Sequence, residues 1–410
     1  MLKLMSSLES KRLHPLMVLV AVIVMWGCMT FRYVGNGFSI ALICFVLAFL
    51  FLSVRMRALP RIRLEKDFLR AIVVLYGSLF IIGLVQGHAL QNTMGGAYSS
   101  VTLFMITLPL WMILYLGWER DLRKPIALTI YGNMYAFSIY GLYLYFTKHQ
   151  SRFTSFYGSP PEVGMLLDLF IPFTAAIGVY YWRSRAWRAA CCLLLPLEYV
   201  ALLLSETRGS YLACSVGIVV VVAVWLGQYR WKISGNVKGA VCSGAILFCA
   251  FMGWYAFVLS AESAVRMQGG ERPLMWEMSY RMWDDHKLLG IGLDRWAEVY
   301  NEPGGVYHPK TAKETTNVMT HNIYLHFLAT GGLAAFAALL GYIFFMIRYL
   351  FCKVMRQRAN PFTWAMLFMF VALMAHGMVD GTLISKHIGR IFYLLMGAAI
   401  LWTERYQDMK

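Results

Sequence analysis

Charge is scarce in this sequence, and acidic charge most of all. Of 410 residues only 14% are charged, and Asp and Glu together number 21. Against a hydrophobic content of 59%, that is too little to solvate one or two soluble domains, and composition excludes the soluble globular classes. Cysteine patterning is missing too. Cys28, Cys44, Cys191, Cys192, Cys214, Cys242, Cys249 and Cys352 form no CxxC pair, and none falls in a segment expected on an oxidising side. Neither a disulfide framework nor a structural zinc is implied. External Asp-x-Asp pairs are absent, and the adjacent carboxylates of Asp284-Asp285-His286 point to different faces of a helix, so no metal site is expected. The first apolar run lacks a small-residue cleavage site after it and is read as retained. There is also no inverted repeat and no matched pair of Gly/Pro-broken helices, the usual pointers to alternating access, which counts against a transporter or flippase.

What the sequence does have is apolar length. Runs long enough to cross a hydrocarbon core of roughly 30 Å recur throughout, and in lipid they must be helical to satisfy their own backbone groups. They fall near residues 15–31, 37–54, 71–87, 99–117, 125–147, 162–182, 187–204, 209–227, 239–260, 321–347, 362–380 and 388–403. The expectation is an all-α, polytopic integral membrane protein with about twelve transmembrane helices. It divides into a bundle over 1–260, a loop over 261–320 and a second bundle over 321–410.

The formal charge of +16 raises the question of nucleic acid, but the cations track the spans. With both termini cytoplasmic, about two thirds of the Lys and Arg fall in cytoplasmic segments, among them Arg55, Arg57, Arg61, Arg63, Lys66 and Arg70 in one loop. Arg348, Lys353, Arg356 and Arg358 mark another. The positive-inside rule accounts for the charge, and no nucleic acid is expected as a partner.

One connection is too long to be only a connection. The segment from Ala261 to Thr320 spans about sixty residues, far beyond ordinary loops, and faces the periplasm in this topology. Pro273 suits a first helical position, and Leu274, Met275, Trp276, Met278, Met282 and Trp283 give an apolar stripe at helical spacing, as in an amphipathic interfacial helix. Asp294 is placed to cap a short helix to Glu302, ended by Pro303-Gly304-Gly305.

Three motifs lie on this external side. Ser205-Glu206-Thr207-Arg208-Gly209-Ser210 is a very short turn that holds Arg208 at headgroup level, where its fork can grip phosphate oxygens; the plainer reading is an Arg paired with lipid headgroups. Arg272-Pro273-x-x-Trp276, followed by Leu289-Gly290-Ile291-Gly292, puts a cation beside a helix N-terminus, a plausible anion site or simply a solvated Arg. In Thr320-His321-Asn322, Thr320 can cap the tenth span and leave His321 in its first turn. There the helix dipole disfavours the imidazolium and keeps a lone pair free for base catalysis, although a lone interfacial His is more often structural. Asp168 and Glu198 lie within spans and must face a neighbour or a cavity, and His376 and Asp380 sit one turn apart at the outer end of the eleventh span.

At these motifs the chain resembles the O-antigen ligase family of bacterial surface-polysaccharide enzymes. The likeness is specific at Thr207-Arg208-Gly209, at Arg272 to Trp276 with Leu289-Gly290-Ile291-Gly292, and at His321-Asn322. The stretch Arg152 to Gly164 also looks like a family loop, with Pro160-Pro161 where such proteins often have Pro-Asn. The resemblance implies a GT-C-like glycosyltransferase of the inner membrane with a periplasmic site. It would move O-antigen from undecaprenyl diphosphate to lipid A-core, with inversion and without metal or cofactor. It implies His321 as the catalytic base, Arg208 and Arg272 as ligands of the donor diphosphate, and Arg152, Thr207, Asn322 and Asp380 as further cavity or substrate contacts. An O-antigen polymerase or a protein O-oligosaccharyltransferase would use the same donor, and a lipid-linked-glycan flippase would need similar cations; the acceptor leaves no short motif.

Overall fold

The computed structural model describes residues 19, 22–23, 64–89, 103–117, 121–156, 159–228, 234–266, 271–308 and 319–404. Among them regular structure is entirely helical, as apolar runs without room for a solvated backbone require. In chain order, α1 runs Lys66–Ile72, then through a π-helical turn Val73–Gly77 into Ser78–Ala89. The helix α2 covers Leu108–Gly117 after a 3-10 turn at Met105–Thr107. Then follow α3 (Arg123–Thr147), α4 (Pro160–Tyr180), α5 (Arg185–Leu204), α6 (Arg208–Gln228), α7 (Gly235–Arg266), α8 (Glu271–Asp285), α9 (Trp296–Asn301), α10 (Ile323–Arg356), α11 (Pro361–His376) and α12 (Lys386–Glu404).

Six of these, α1, α4, α5, α6, α7 and α10, contain stretches long and apolar enough to cross a membrane, and α2 with its 3-10 turn and α11 are shorter apolar helices. The expected spans at 15–31 and 37–54 lie outside the described residues apart from isolated positions. At the centre, α11 packs along α4 and α6, while α12 lies against α2. Aromatic rings fill the interior, as where Phe362 stacks on Trp402 with centroids 4.4 Å apart.

The bundle has two unlike ends. At one, the buried ammonium of Lys353 meets Glu65 at 3.0 Å and also Glu404, tying the starts and ends of α1, α10 and α12 together. Arg183, Arg185, Arg348, Arg356 and Arg358 crowd this end, the one expected to be cytoplasmic. At the other end meet the start of α4, the end of α5, the start of α6, the end of α11 and the start of α10, joined by short turns.

Helix α10 corrects one sequence expectation. Its 34 residues would reach roughly 51 Å at 1.5 Å per residue, far more than a bilayer core needs. The helix breaks at Gly332, whose φ of 63° is left-handed, leaving a short arm before it and a straight arm Leu333–Arg356 of roughly 36 Å. The expected span at 321–347 thus contains a break at Gly332, and the apolar helix that could cross a membrane, Ile323–Arg356, runs beyond it. The break frees backbone groups that Leu289-Gly290-Ile291-Gly292 and its flank satisfy. Ile291 N donates to Ala329 O at 2.9 Å and Gly292 N to Thr330 O at 3.1 Å, while Leu333 N donates to Lys287 O at 2.8 Å. The Gln86 amide of α1 closes the gap, donating to Thr330 O at 2.8 Å and accepting from Leu293 N at 3.0 Å. The glycine-rich motif thus clamps the segment between α8 and α9 to α10.

A Cβ on Gly332 would lie 2.3 Å from the Leu288 carbonyl. Gly332→Ala is expected to lower the thermal midpoint, since left-handed strain alone costs on the order of 1–3 kcal/mol before the clash. An unchanged unfolding midpoint in detergent would show that this packing does not hold the break.

Candidate functional site

The turn between α5 and α6 is built from outside itself. Glu206 adopts a left-handed φ of 51°, which lets the chain reverse within three residues. The Arg152 guanidinium holds that reversal, its Nε donating to Ser205 O at 2.9 Å and Nη2 to Glu206 O at 3.0 Å. Thr207 Oγ1 donates to Pro160 O at 2.9 Å, so the turn also rests on the first residue of α4. Arg208, exposed, then opens α6. Arg152 is therefore a clamp on the turn that presents Arg208, and Thr207 is a tie beneath it. Burial lowers the Arg152 pKa, Glu206 and Tyr211 oppose that, and the charges of Arg208 and Arg272 add to the lowering. The Arg208 and Arg272 guanidinium groups therefore lie within electrostatic reach of Arg152, although the three residues come from separate stretches.

His321 is not in the first turn of α10, as the capping expectation had it. Asn322 is the cap, its Oδ1 accepting from Leu325 N at 3.0 Å, and His321 precedes it with a left-handed φ of 52°. Thr320 is fully buried, its carbonyl accepting from Trp276 Nε1 at 3.1 Å. What orients the imidazole is a carboxylate: Nδ1 of His321 lies 2.9 Å from Asp380 Oδ1. Asp380 is the better acceptor for being ionised. Burial pushes its pKa up, but the His321 hydrogen bond and the neighbouring His321, His376 and Arg272 side chains outweigh that and leave it below the usual carboxylate range. In a neutral imidazole, an Nδ1 proton directed at the carboxylate leaves the lone pair on Nε2, the tautomer a general base requires. The orientation of the ring and its tautomer are therefore set by Asp380 rather than by the helix dipole.

Helix α8 brings the second cation to the same place. Met275, Met278 and Met282 form its buried stripe, as the periodicity predicts. Arg272 and Trp276, one turn apart, reach the two neighbours of the imidazole: Arg272 Nη2 lies 3.4 Å from Asp380 Oδ2, and Trp276 holds the Thr320 carbonyl. Trp296 Nε1 donates to Ser279 Oγ at 2.8 Å and fixes α9 against α8. The helix α9 starts at Trp296 rather than Asp294, which lies outside it at a left-handed φ of 65°, so the expected Asp294 cap does not form. Asn322 completes the frame by donating from Nδ2 to Met378 O at 2.9 Å, which joins the start of α10 to the turn carrying Asp380.

Two further residues separate where the sequence had grouped them. Helix α11 ends at His376 with Gly377 as its cap, four residues before the expected end of the span, so Asp380 lies in a turn beyond the helix. His376 instead turns inward, its Nδ1 2.6 Å from Asp168 Oδ2, both side chains buried. Sequence reasoning marked Asp168 as needing a neighbour or a cavity and grouped His376 with Asp380, without the means to join Asp168 to His376 across 208 positions.

The chain can be compared with known proteins from this geometry. Residues 189–340 match the family model for O-antigen ligase, and over this part the chain is similar to that family, as the motifs suggested. Enzymes of that family are glycosyltransferase-like and act in O-antigen and glycan processing. The matched stretch contains Arg208, Arg272 and His321 but stops short of His376 and Asp380. No curated protein matches the chain.

Proposed function

We propose that the chain is an O-antigen ligase that transfers polysaccharide from undecaprenyl diphosphate to lipid A-core on the periplasmic face of the bacterial inner membrane. The observation that carries this reading is the linked set His321, Asp380 and Arg272, in which one buried carboxylate touches both a potential base and a potential phosphate ligand. Arg152, which holds the Arg208 turn, feels the charges of both Arg208 and Arg272.

The chemistry needs little else. A sugar on a diphosphate already has a good leaving group, so the protein must stabilise charge growing on the departing phosphate and take a proton from the attacking hydroxyl. In this mechanism Nε2 of His321 accepts the acceptor's proton while Asp380 holds the imidazole and steadies the imidazolium that results. The oxygen bonds to the anomeric carbon, the bond to the diphosphate breaks, and Arg208 and Arg272 take up the released charge. Direct attack inverts the anomeric centre. Both lipid substrates held in one membrane layer add the proximity contribution.

Reconstitution tests the reading. Purified chain in proteoliposomes with undecaprenyl-diphosphate glycan and lipid A-core is expected to form the covalent product without nucleotide. Transfer onto a second lipid-linked repeat would identify a polymerase, and transfer onto a protein hydroxyl an oligosaccharyltransferase. Glycan movement without bond formation would identify a flippase. Turnover is also expected to survive EDTA, because the external segments offer no spacing for a divalent cation. Activity lost in chelator and restored by Mg²⁺ or Mn²⁺ would overturn that expectation.

A further inference from the structure

Beneath the outer pair lies an inner one that the mechanism does not use. His376 and Asp168 are 1% and 2% exposed in their side chains and 2.6 Å apart, where α11 crosses α4. Cys214 Sγ of α6 donates to the other carboxylate oxygen at 3.4 Å, and Ser210 Oγ lies 3.4 Å from His376 Nδ1. Taking two ionisable groups this far from water costs several kcal/mol per charge, and a well-packed apolar pair holds helices together as firmly. Such pairs are best attested where they fix register.

His376 touches both halves of the site above it. Its ring occupies the space over Gly209, where a Cβ would come 2.5 Å from Nε2. That is the physical reason for glycine after Arg208 in the motif. Its main-chain oxygen accepts from Val379 N at 2.9 Å and Asp380 N at 3.0 Å, which starts the turn carrying Asp380. One residue thus meets the Arg208 turn with its side chain and launches the Asp380 turn with its backbone, while Asp168 fixes the rotamer that sets the ring over Gly209.

We propose that His376 and Asp168 form a positioning pair that sets the register between the start of α6, bearing Arg208, and the turn bearing Asp380, and acts on transfer through those residues without touching substrate. The proposal rests on the transfer reading above for its kinetic arm only. His376→Asn keeps an N–H donor for Asp168 near the place of Nδ1 but withdraws the ring from Gly209. Gly209→Ala drives a methyl into the ring. In the full-length chain each change is expected to lower kcat about tenfold or more, with the donor KM within about threefold. Each is also expected to slow carbethoxylation of His321 by diethyl pyrocarbonate, followed by peptide mass spectrometry, because a displaced Asp380 no longer supports the imidazole. In the double variant the new methyl meets the smaller Asn side chain, so the losses should fall short of the product of the two single ones.

The labelling reads His321 whether or not the chain transfers glycan. If the parent forms no product with any acceptor, the transfer reading fails and labelling alone decides the pairing. Parent-like labelling of His321 in both single variants overturns the proposal. So does a drop in thermal midpoint with normal kcat per folded molecule, which would reduce the pair to packing.

Discussion

His321→Ala is expected to abolish glycan transfer by the purified chain, with a loss of at least about 10²-fold, while membrane insertion and donor binding persist. Nδ1 is committed to Asp380 at 2.9 Å, and the other nitrogen is available to a hydroxyl. The side chain caps no helix, since Asn322 does so, and its loss leaves the joint between α10 and the 377–380 turn in place through Asn322 and Ile323. Asp380→Asn should be nearly as damaging while leaving the ring present. An amide there can donate to Nδ1, which moves the imidazole proton to Nε2 and removes the lone pair from the reacting side. The pH dependence has a definite sign. The folded pKa of Asp380 is depressed, so its contribution is fully present above the ordinary carboxylate pKa and is lost only as pH falls through the lower folded value. Asp380 should therefore not set an acid limb near neutrality. Single-turnover transfer in purified His321→Ala at the parent rate would remove the imidazole from the mechanism.

What the sequence made legible was whatever has a local signature. Lipid imposes helices on apolar runs, so α3 to α6 fall within a few residues of the expected spans. Methionines at helical spacing marked the buried face of α8, and Arg208, Arg272 and His321 stood out as polar residues next to apolar helices. Caps were harder. Thr320 and Asn322 are both good capping residues two positions apart, and the choice fell to tertiary contacts: Trp276 takes the Thr320 carbonyl, and Met378 takes the Asn322 amide. The break in α10 did leave a signal in Gly331-Gly332, ten residues into an apolar run too long for one crossing. The pairings Asp380 with His321 and Asp168 with His376 left none, because partners 59 and 208 positions apart meet only once the helices pack.

Arg208→Lys and Arg272→Lys are each expected to impair transfer severely, by about tenfold or more in kcat/KM and with part of the loss in kcat. Each substitution keeps the positive charge and shortens only the geometry of recognition, which makes it a probe of the planar fork rather than of charge. Arg272 is the more constrained case. Its guanidinium meets Asp380 Oδ2 at 3.4 Å while its side chain stays 45% exposed, so one donor contacts the site's carboxylate and the rest of the fork can face a phosphate. A lysine ammonium must choose between the two, and either choice costs the reaction: leaving Asp380 loosens His321, and leaving the diphosphate exposes the departing charge. Arg208 stands on the first residue of α6, where the positive end of the helix dipole adds to its own charge. Its lysine variant should lose less of the support for His321 and more of the binding to the leaving group. Charge on the diphosphate grows toward the transition state, so a true contact must appear in kcat as well as in donor affinity. An Arg that merely meets headgroups would tolerate the exchange at every donor concentration, and parent-like turnover by either lysine variant would remove that residue from the clamp.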